Sequence, residues 1–230
     1  ATMKDREDWR HVPLVTIDPP DAKDHDDAVF AEADTDPNNK GGHIVTVAIA
    51  DVAHYVRPGS RIDREAQLRG NSVYFPDRVV PMLPERLSND LCSLREKEER
   101  PCLAVRMVFD RRGRKRGHVF LRAMMRSAAK LSYQEAQAAI DGKPTEKCAP
   151  LLEGVLKPLW AAYDVLAAAR DERSPLDLDL PERKIVLDSQ GRVARVVVPE
   201  RLSAHRLIEE MMIQANVAAA EALEARKAPV

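Results

Sequence analysis

Aromatic side chains are scarce in this chain: they make up 4% of 230 residues, so a core has to be built mainly from aliphatic groups. No apolar run approaches the roughly 18 residues that a transmembrane helix needs. The first residues, Ala1-Thr-Met-Lys-Asp5, have no apolar segment of the kind a signal peptide carries. Cysteines number three (Cys92, Cys102 and Cys148), and their spacing matches no metal-binding pattern. An odd, scattered set of thiols points to reduced cysteines in a cytoplasmic protein. Charge of one sign is missing too. Lys and Arg total 36 against 37 Asp and Glu, a net charge of −1, so global charge decides nothing about nucleic acid and local patches must. There are no repeats and no low-complexity linker. With 44% hydrophobic residues, the chain is long enough for one large domain or two small ones. Residues 1–12 read as a leader or a remnant of cloning, and 13–230 as the domain proper.

What the chain does have is acid in one place. Asp18, Asp24, Asp26 and Asp27 fall in the run Thr16-Ile-Asp-Pro-Pro-Asp-Ala-Lys-Asp-His-Asp-Asp27, with Asp21 as a fifth carboxylate. Clustered carboxylates repel one another, and ionising several together costs free energy unless a cation is present. Hard oxygen ligands suit magnesium, manganese or calcium. Apolar residues on both sides (Val12, Leu14, Val15 and Ile17 before; Ala28, Val29 and Phe30 after) predict strands holding the loop. A divalent-metal site on a β-scaffold stands against a plain acidic turn, since Asp also favours turns by bonding nearby backbone N–H groups. An EF-hand is a poor match: counting from Asp24, the sixth residue is Val29 rather than Gly and the twelfth is Thr35 rather than Glu.

Periodicity and punctuation predict the elements. Residues 12–18, 28–33 and 43–52 read as strands, with a turn cluster at 34–42. Ser60 is expected to cap a helix to Arg69, and residues 84–94 to begin a short helix. Residues 102–110 and 118–127 pair around Asp110-Arg-Arg-Gly-Arg-Lys-Arg-Gly117, a glycine-bearing tip with five cations. Ser132 and Glu135 form a capping-box pattern for a helix over 131–140. A Leu/Ala helix over 148–172 is expected to bend or restart at Pro158. Residues 184–187 and 192–198 form a second strand pair, and 201–225 a closing amphipathic helix in which Met211 and Met212 are packing residues. Strands concentrate in the first half and helices in the second, so the fold class is α+β, a mixed or antiparallel sheet packed with helices.

The wording around the acidic cluster resembles the RNB catalytic domain of the ribonuclease II and ribonuclease R family. Four more blocks match in order: Ile49-Ala-Asp-Val-Ala-His-Tyr-Val56, Asn71-Ser-Val-Tyr-Phe-Pro-Asp-Arg-Val-Val-Pro-Met-Leu-Pro84, Leu87-Ser-Asn-Asp-Leu-Cys-Ser-Leu94 and Ala204-His-Arg-Leu-Ile-Glu-Glu-Met-Met-Ile-Gln-Ala-Asn216. The Val-Tyr-Phe-Pro-Asp-Arg wording is nearer to the ribonuclease R branch. The resemblance implies a processive 3′→5′ exoribonuclease that hydrolyses single-stranded RNA to nucleoside 5′-monophosphates, with Mg2+ or Mn2+ as cofactor. It implies catalytic and metal-binding roles for Asp18, Asp24, Asp26 and Asp27, with Asp26 essential to the chemistry. It implies RNA-binding roles for Tyr74, which would stack on the terminal base, and for Glu209 and Asn216 in the channel. The rival is a non-catalytic RNA-binding member of the family; such proteins often lose an aspartate, and all four are kept here.

Two departures accompany the match. The family closes the base clamp with a phenylalanine, whereas Lys184-Ile-Val-Leu187 falls at that position. The family's later Ser-Pro-Ile-Arg-Arg-Tyr-like segment, whose arginine binds the scissile phosphate, has no counterpart. The chain therefore reads as part of the catalytic domain, with weak or no activity alone. Among other candidates, the tip 111–116 reads either as a solvated turn or as a phosphate contact. His25 reads as a solvent-facing turn residue or as a group that tunes the site. His54, like His25, lies near the acidic loop in sequence or in family register, His205 reads as a packed or surface histidine of the closing helix, and Cys92 as core.

Overall fold

The computed structural model describes residues 3–173 and 183–230. Alternating aliphatic residues form short strands that assemble into one seven-stranded sheet. In chain order these are β1 (Glu7–Trp9), β2 (Val15–Asp18), β3 (Asp27–Ala33) and β4 (His43–Ala50). A small ribbon follows, β5 (Val73–Tyr74) with β6 (Val79–Val80). The main sheet resumes with β7 (Glu99–Phe109), β8 (Lys115–Arg126) and β9 (Ala129–Ser132), and a second ribbon pairs β10 (Lys184–Leu187) with β11 (Val193–Val197). The sheet order is β1-β8-β7-β4-β3-β2-β9, parallel at its two edges (β1 with β8, β2 with β9) and antiparallel between. The mixed sheet with helices is the α+β class expected.

Period-two alternation gives the sheet two different faces. Val29, Ala31, Val45, Val47, Val105 and Met107 face a helical layer. That layer is α3 (Tyr133–Ile140), α4 (Lys157–Glu172) and α5 (Ser203–Glu224). Leu159, Leu166, Leu207 and Met211 are fully buried in it, each contributing about 1.5–3 kcal/mol of burial. The other face is made of small groups, Ala28, Ala48, Ala50, Ala104, Ala123 and Cys102, and carries Leu87, Cys92 and Leu94 against it. Burial pushes the thiols of Cys92 and Cys102 up, to about 11 and about 12, so both stay protonated and inert.

Local signals behave as their chemistry requires. Ser60 caps α2 (Arg61–Arg69) by accepting the Asp63 N–H, after a short α1 at Val52–Tyr55. The capping box of α3 is formed by Ser132 and Glu135. The short helix expected to begin at Pro84 runs over 85–91, its last five residues, Leu87–Leu91, wound as a π turn, and it ends where Leu94 N bonds away to His25 O at 2.8 Å. The segment 148–172 restarts at Pro158 as expected: a 3-10 turn (Ala149–Leu151) and a π turn (Leu152–Leu156) precede α4. Pro158 sits in the first turn of α4, where its missing N–H costs nothing.

The first dozen residues, expected to be a leader, join the fold from Arg6 onward. β1 adds to the sheet edge with Glu7 opposite Ala123 and Trp9 opposite Met125. Beside it, Arg6 Nη2 meets Asp51 Oδ2 at 2.5 Å, with side chains 3% and 4% exposed. A buried charge that loses its partner is strongly penalised, so Arg6→Ala should lower stability by about 3–5 kcal/mol. Thermal unfolding checks this: the expected loss is on the order of 10 °C, and an unchanged Tm would show that the pair adds nothing.

Candidate active site

The sheet gathers the acidic residues at one end. Asp18 closes β2 and Asp27 opens its antiparallel neighbour β3, with Val15 opposite Val29 fixing the register. Residues 19–26 are the loop between them. Asp27 lies opposite Ile49 of β4, and Ala50 N donates to Asp26 O at 2.8 Å. On the other side, β9 runs parallel to β2 and sets Ser132 beside Asp18. The next residue, Tyr133, opens α3.

His25 pins the loop. Its backbone N–H donates to Ser93 Oγ at 3.1 Å, its carbonyl accepts from Leu94 N at 2.8 Å, and its Nδ1 meets Asp18 Oδ2 at 2.8 Å. The ring is 3% exposed, so the solvent-facing reading of this histidine is corrected. A Pro-rich, acidic loop on its own would be mobile; two of the bonds at this residue tie it to the Leu87–Leu94 segment and the third ties it to the end of β2.

The electrostatics are those of an uncompensated cluster. Among the described residues, no lysine or arginine pairs with Asp18, Asp24, Asp26 or Asp27, and the single partner is His25. Asp27 is pushed up to about 6, by burial first and then by Asp18 and Asp26, with His25 opposing. Asp26 reaches solvent at the lip of the loop, yet desolvation and the charges of Asp24 and Asp18 raise it too. Asp21 behaves differently: Lys184 Nζ lies 3.2 Å from its Oδ2 and holds the carboxyl down. That contact brings the β10–β11 ribbon onto the acidic loop, with Lys184 rather than an aromatic ring at the meeting point.

Two groups complete the surroundings. Tyr74, 69% exposed on β5, is raised by desolvation and by the nearby charges of Asp24 and Asp26, which places it at the open side of the cluster. Tyr133, which the sequence singled out only as part of a helix, is raised to about 12 by burial, Asp18 and Asp27. Its ring stacks on His205 at 3.9 Å between centroids, and His205 Nδ1 accepts the Leu202 N–H at 3.1 Å. The parallel β2–β9 pairing is what brings Tyr133 there, and pairing between strands so far apart leaves no local mark. Glu209 and Asn216 are not brought to the aspartates by any such contact. Glu209 is held by Arg170 at 3.4 Å and by Arg201, while Asn216 is exposed about 10 Å further along α5.

The donor set fits a hard divalent cation in chemistry and charge. Four carboxylates offer oxygen ligands only, and the raised Asp26 and Asp27 mark a deficit of positive charge. The side chains are not drawn into a finished cage: among the described residues, no three acidic, histidine or cysteine groups converge as a ready metal site. Asp18 is turned toward His25 instead.

The chain matches the RNB domain family over residues 6–230. It is 44% identical over 226 residues to ribonuclease R of Escherichia coli, which covers 97% of this chain and 27% of that protein. The chain thus spans about a quarter of that relative's length. Two structures of Mycoplasma genitalium RNase R, each 33% identical, superpose over 99% of this chain. One, in complex with ribose-methylated single-stranded RNA, has a TM-score of 0.91, with 35% of that chain covered. The other, in complex with double-stranded RNA, has a TM-score of 0.92, with 40% covered.

The strain on Asp27 has a measurable sign. The fold penalises its ionised form, so the cost is complete above about pH 6 and vanishes below the ordinary value of 3.8. In chelator at neutral pH, Asp27→Asn should raise Tm, by roughly 2–4 °C per kcal/mol in a domain of this size. The gap to wild type should close as the pH falls toward about 4. A gap that stays constant across this range would mean Asp27 is not strained.

Proposed function

This chain belongs to the RNB family, and on that premise we propose that it carries the acidic centre of a processive 3′→5′ exoribonuclease. Its substrate is single-stranded RNA and its products are nucleoside 5′-monophosphates. The observation that carries the reading is the set of four aspartates on two adjoining strand ends and the loop between them, with no lysine or arginine among the described residues to neutralise them. A non-catalytic RNA-binding protein gains nothing from that strain, whereas a phosphodiesterase uses it to hold cations.

Asp18, Asp24, Asp26 and Asp27 would hold magnesium or manganese. Bound there, the cation supplies Lewis-acid stabilisation of the phosphate and an activated water. The chain's own residues do the rest. Asp26, exposed at the lip of the loop, would take a proton from the attacking water. His25 fixes the orientation of Asp18. Tyr133 remains a phenol at neutral pH and walls the inner side without adding charge. Tyr74 presents its ring to a terminal base, and stacking suits a processive enzyme because every base has a π-face. The three cysteines are free and buried, in keeping with a reducing cytoplasm. Among the described residues no helix is long and apolar enough to cross a membrane.

The decisive assay uses 5′-labelled poly(A) with magnesium. It compares this chain, a longer chain carrying the remainder of the family's domain, and that longer chain with Asp26→Asn. The longer wild type should produce a ladder ending in short products, and Asp26→Asn should lose at least about a hundredfold, the scale of removing one preorganised electrostatic group. RNA binding without cleavage in either metal would replace the enzyme reading with the binding one. Tyr74→Ala should weaken binding of a single strand by about 1–3 kcal/mol, while Tyr74→Phe keeps the affinity; equal affinities for all three would remove Tyr74 from the RNA contact.

A further inference from the structure

The far end of the sheet carries the opposite charge. The turn joining β7 to β8 is built on Asp110, whose Oδ1 accepts the N–H groups of Arg112 (2.8 Å) and Arg114 (3.1 Å) and whose Oδ2 takes Arg114 Nε at 2.9 Å. Gly113 has φ +71°, and a Cβ there would lie 2.7 Å from both Ala169 Cβ and Val165 O of α4. The turn is therefore seated against a helix and cannot be remodelled by a side chain at its apex. Lys115 is tied to Glu221 of α5 at 2.7 Å. These contacts fix the backbone and leave the side chains of Arg111, Arg112 and Arg116 exposed; among the described residues none of the three forms an ion pair, although Arg116 is near enough to Asp34 to help hold its carboxyl down. Together with Lys40, Asn38 and Asn39 they line a cavity of about 340 Å³.

This position is separate from the aspartates. His43 at the start of β4 lies opposite Phe109, and Ile49 near its end lies opposite Asp27. Six residues of extended strand set the two ends about 20 Å apart.

We propose that this turn is a second RNA contact, an anion site that takes the phosphodiester backbone away from the acidic centre. Guanidinium groups bind phosphate oxygens in bidentate fashion and hold their charge at any pH, and a preorganised turn loses little entropy on binding. Three arginines and Lys40 line this one cavity, more cationic charge than a single small anion balances, which suits a run of phosphates. The inference takes RNA as ligand from the proposed function but does not depend on cleavage.

The test is fluorescence anisotropy of a ~20-nucleotide oligoadenylate on this chain in chelator, over a series of salt concentrations. The variants are the triple substitution Arg111→Gln, Arg112→Gln, Arg116→Gln and the same three positions changed to Lys. The Gln variant should keep the wild-type Tm, because the three side chains hold nothing in the fold. Its affinity at low salt should fall at least tenfold, and its log–log salt slope should shrink by about 2, from three single-strand phosphate contacts at about 0.7 each. The Lys variant should keep the slope with intermediate affinity. A Gln variant with the wild-type slope, or a wild-type chain that does not bind RNA, overturns the proposal. So does binding of anionic phosphatidylserine vesicles in place of RNA. Cleavage is scored separately on the longer chain with metal, so either reading can fail alone.

Discussion

The crowding of like charge at one end of the sheet is the constraint around which this structure is arranged. Strand termini place Asp18 and Asp27 side by side, and the connecting loop adds Asp24 and Asp26. Such a loop would relax by splaying outward, and what prevents it is the grip on His25. The backbone on both sides of that residue is held by Ser93 and Leu94, and its ring holds Asp18. Tyr133 and the exposed Tyr74 add phenols, which stay neutral at working pH. The fold thus stores repulsion among the carboxylates rather than cancelling it.

The helical layer serves the same end indirectly. α5 is anchored at its start by several polar contacts to its neighbours: Ser203 Oγ donates to Gln137 at 2.7 Å, Ala204 N donates to the same amide at 3.0 Å, and Trp160 Nε1 donates to Ser203 at 3.3 Å. His205 then lies flat on Tyr133. With aromatics so few, the placing of this one stack beside Asp18 and Asp27 shows where rigidity is needed. The carboxylates of Glu209 and Glu210 are taken up by Arg170 and Arg201 further along α5, an inter-helix network rather than part of the acidic centre.

Much of this was legible in the sequence where the cause is local. Asp18, Asp24, Asp26 and Asp27 announce themselves by proximity, Ser132 and Glu135 cap a helix within three residues, and Val45 and Val47 alternate visibly. What escaped was non-local. His25 looks like a turn residue because Ser93, its anchor, lies 68 positions away. Tyr133 gains its place only when β9 pairs in parallel with β2. The strand at Glu7–Trp9 is short and polar, and only its pairing to β8 and the Arg6–Asp51 contact give it a place. The short helix that starts at Pro84 winds as a π turn at Leu87–Leu91 and goes no further, because Cys92, Ser93 and Leu94 are drawn to the sheet and to His25.

The small side chains on one face of the sheet have a consequence for how the acidic loop can vary. Ala28, Ala48, Ala50, Ala104 and Ala123 let the Leu87–Leu94 segment lie almost directly on the strands. They act as spacers, and their height sets the level at which Ser93 meets His25. Adding methyl groups there would lift that segment like a shim under a beam and tilt the loop above it. The reach of the carboxylates is thereby set in part by alanine side chains that carry no charge, and drift in those alanines would detune the site while leaving every acidic residue in place.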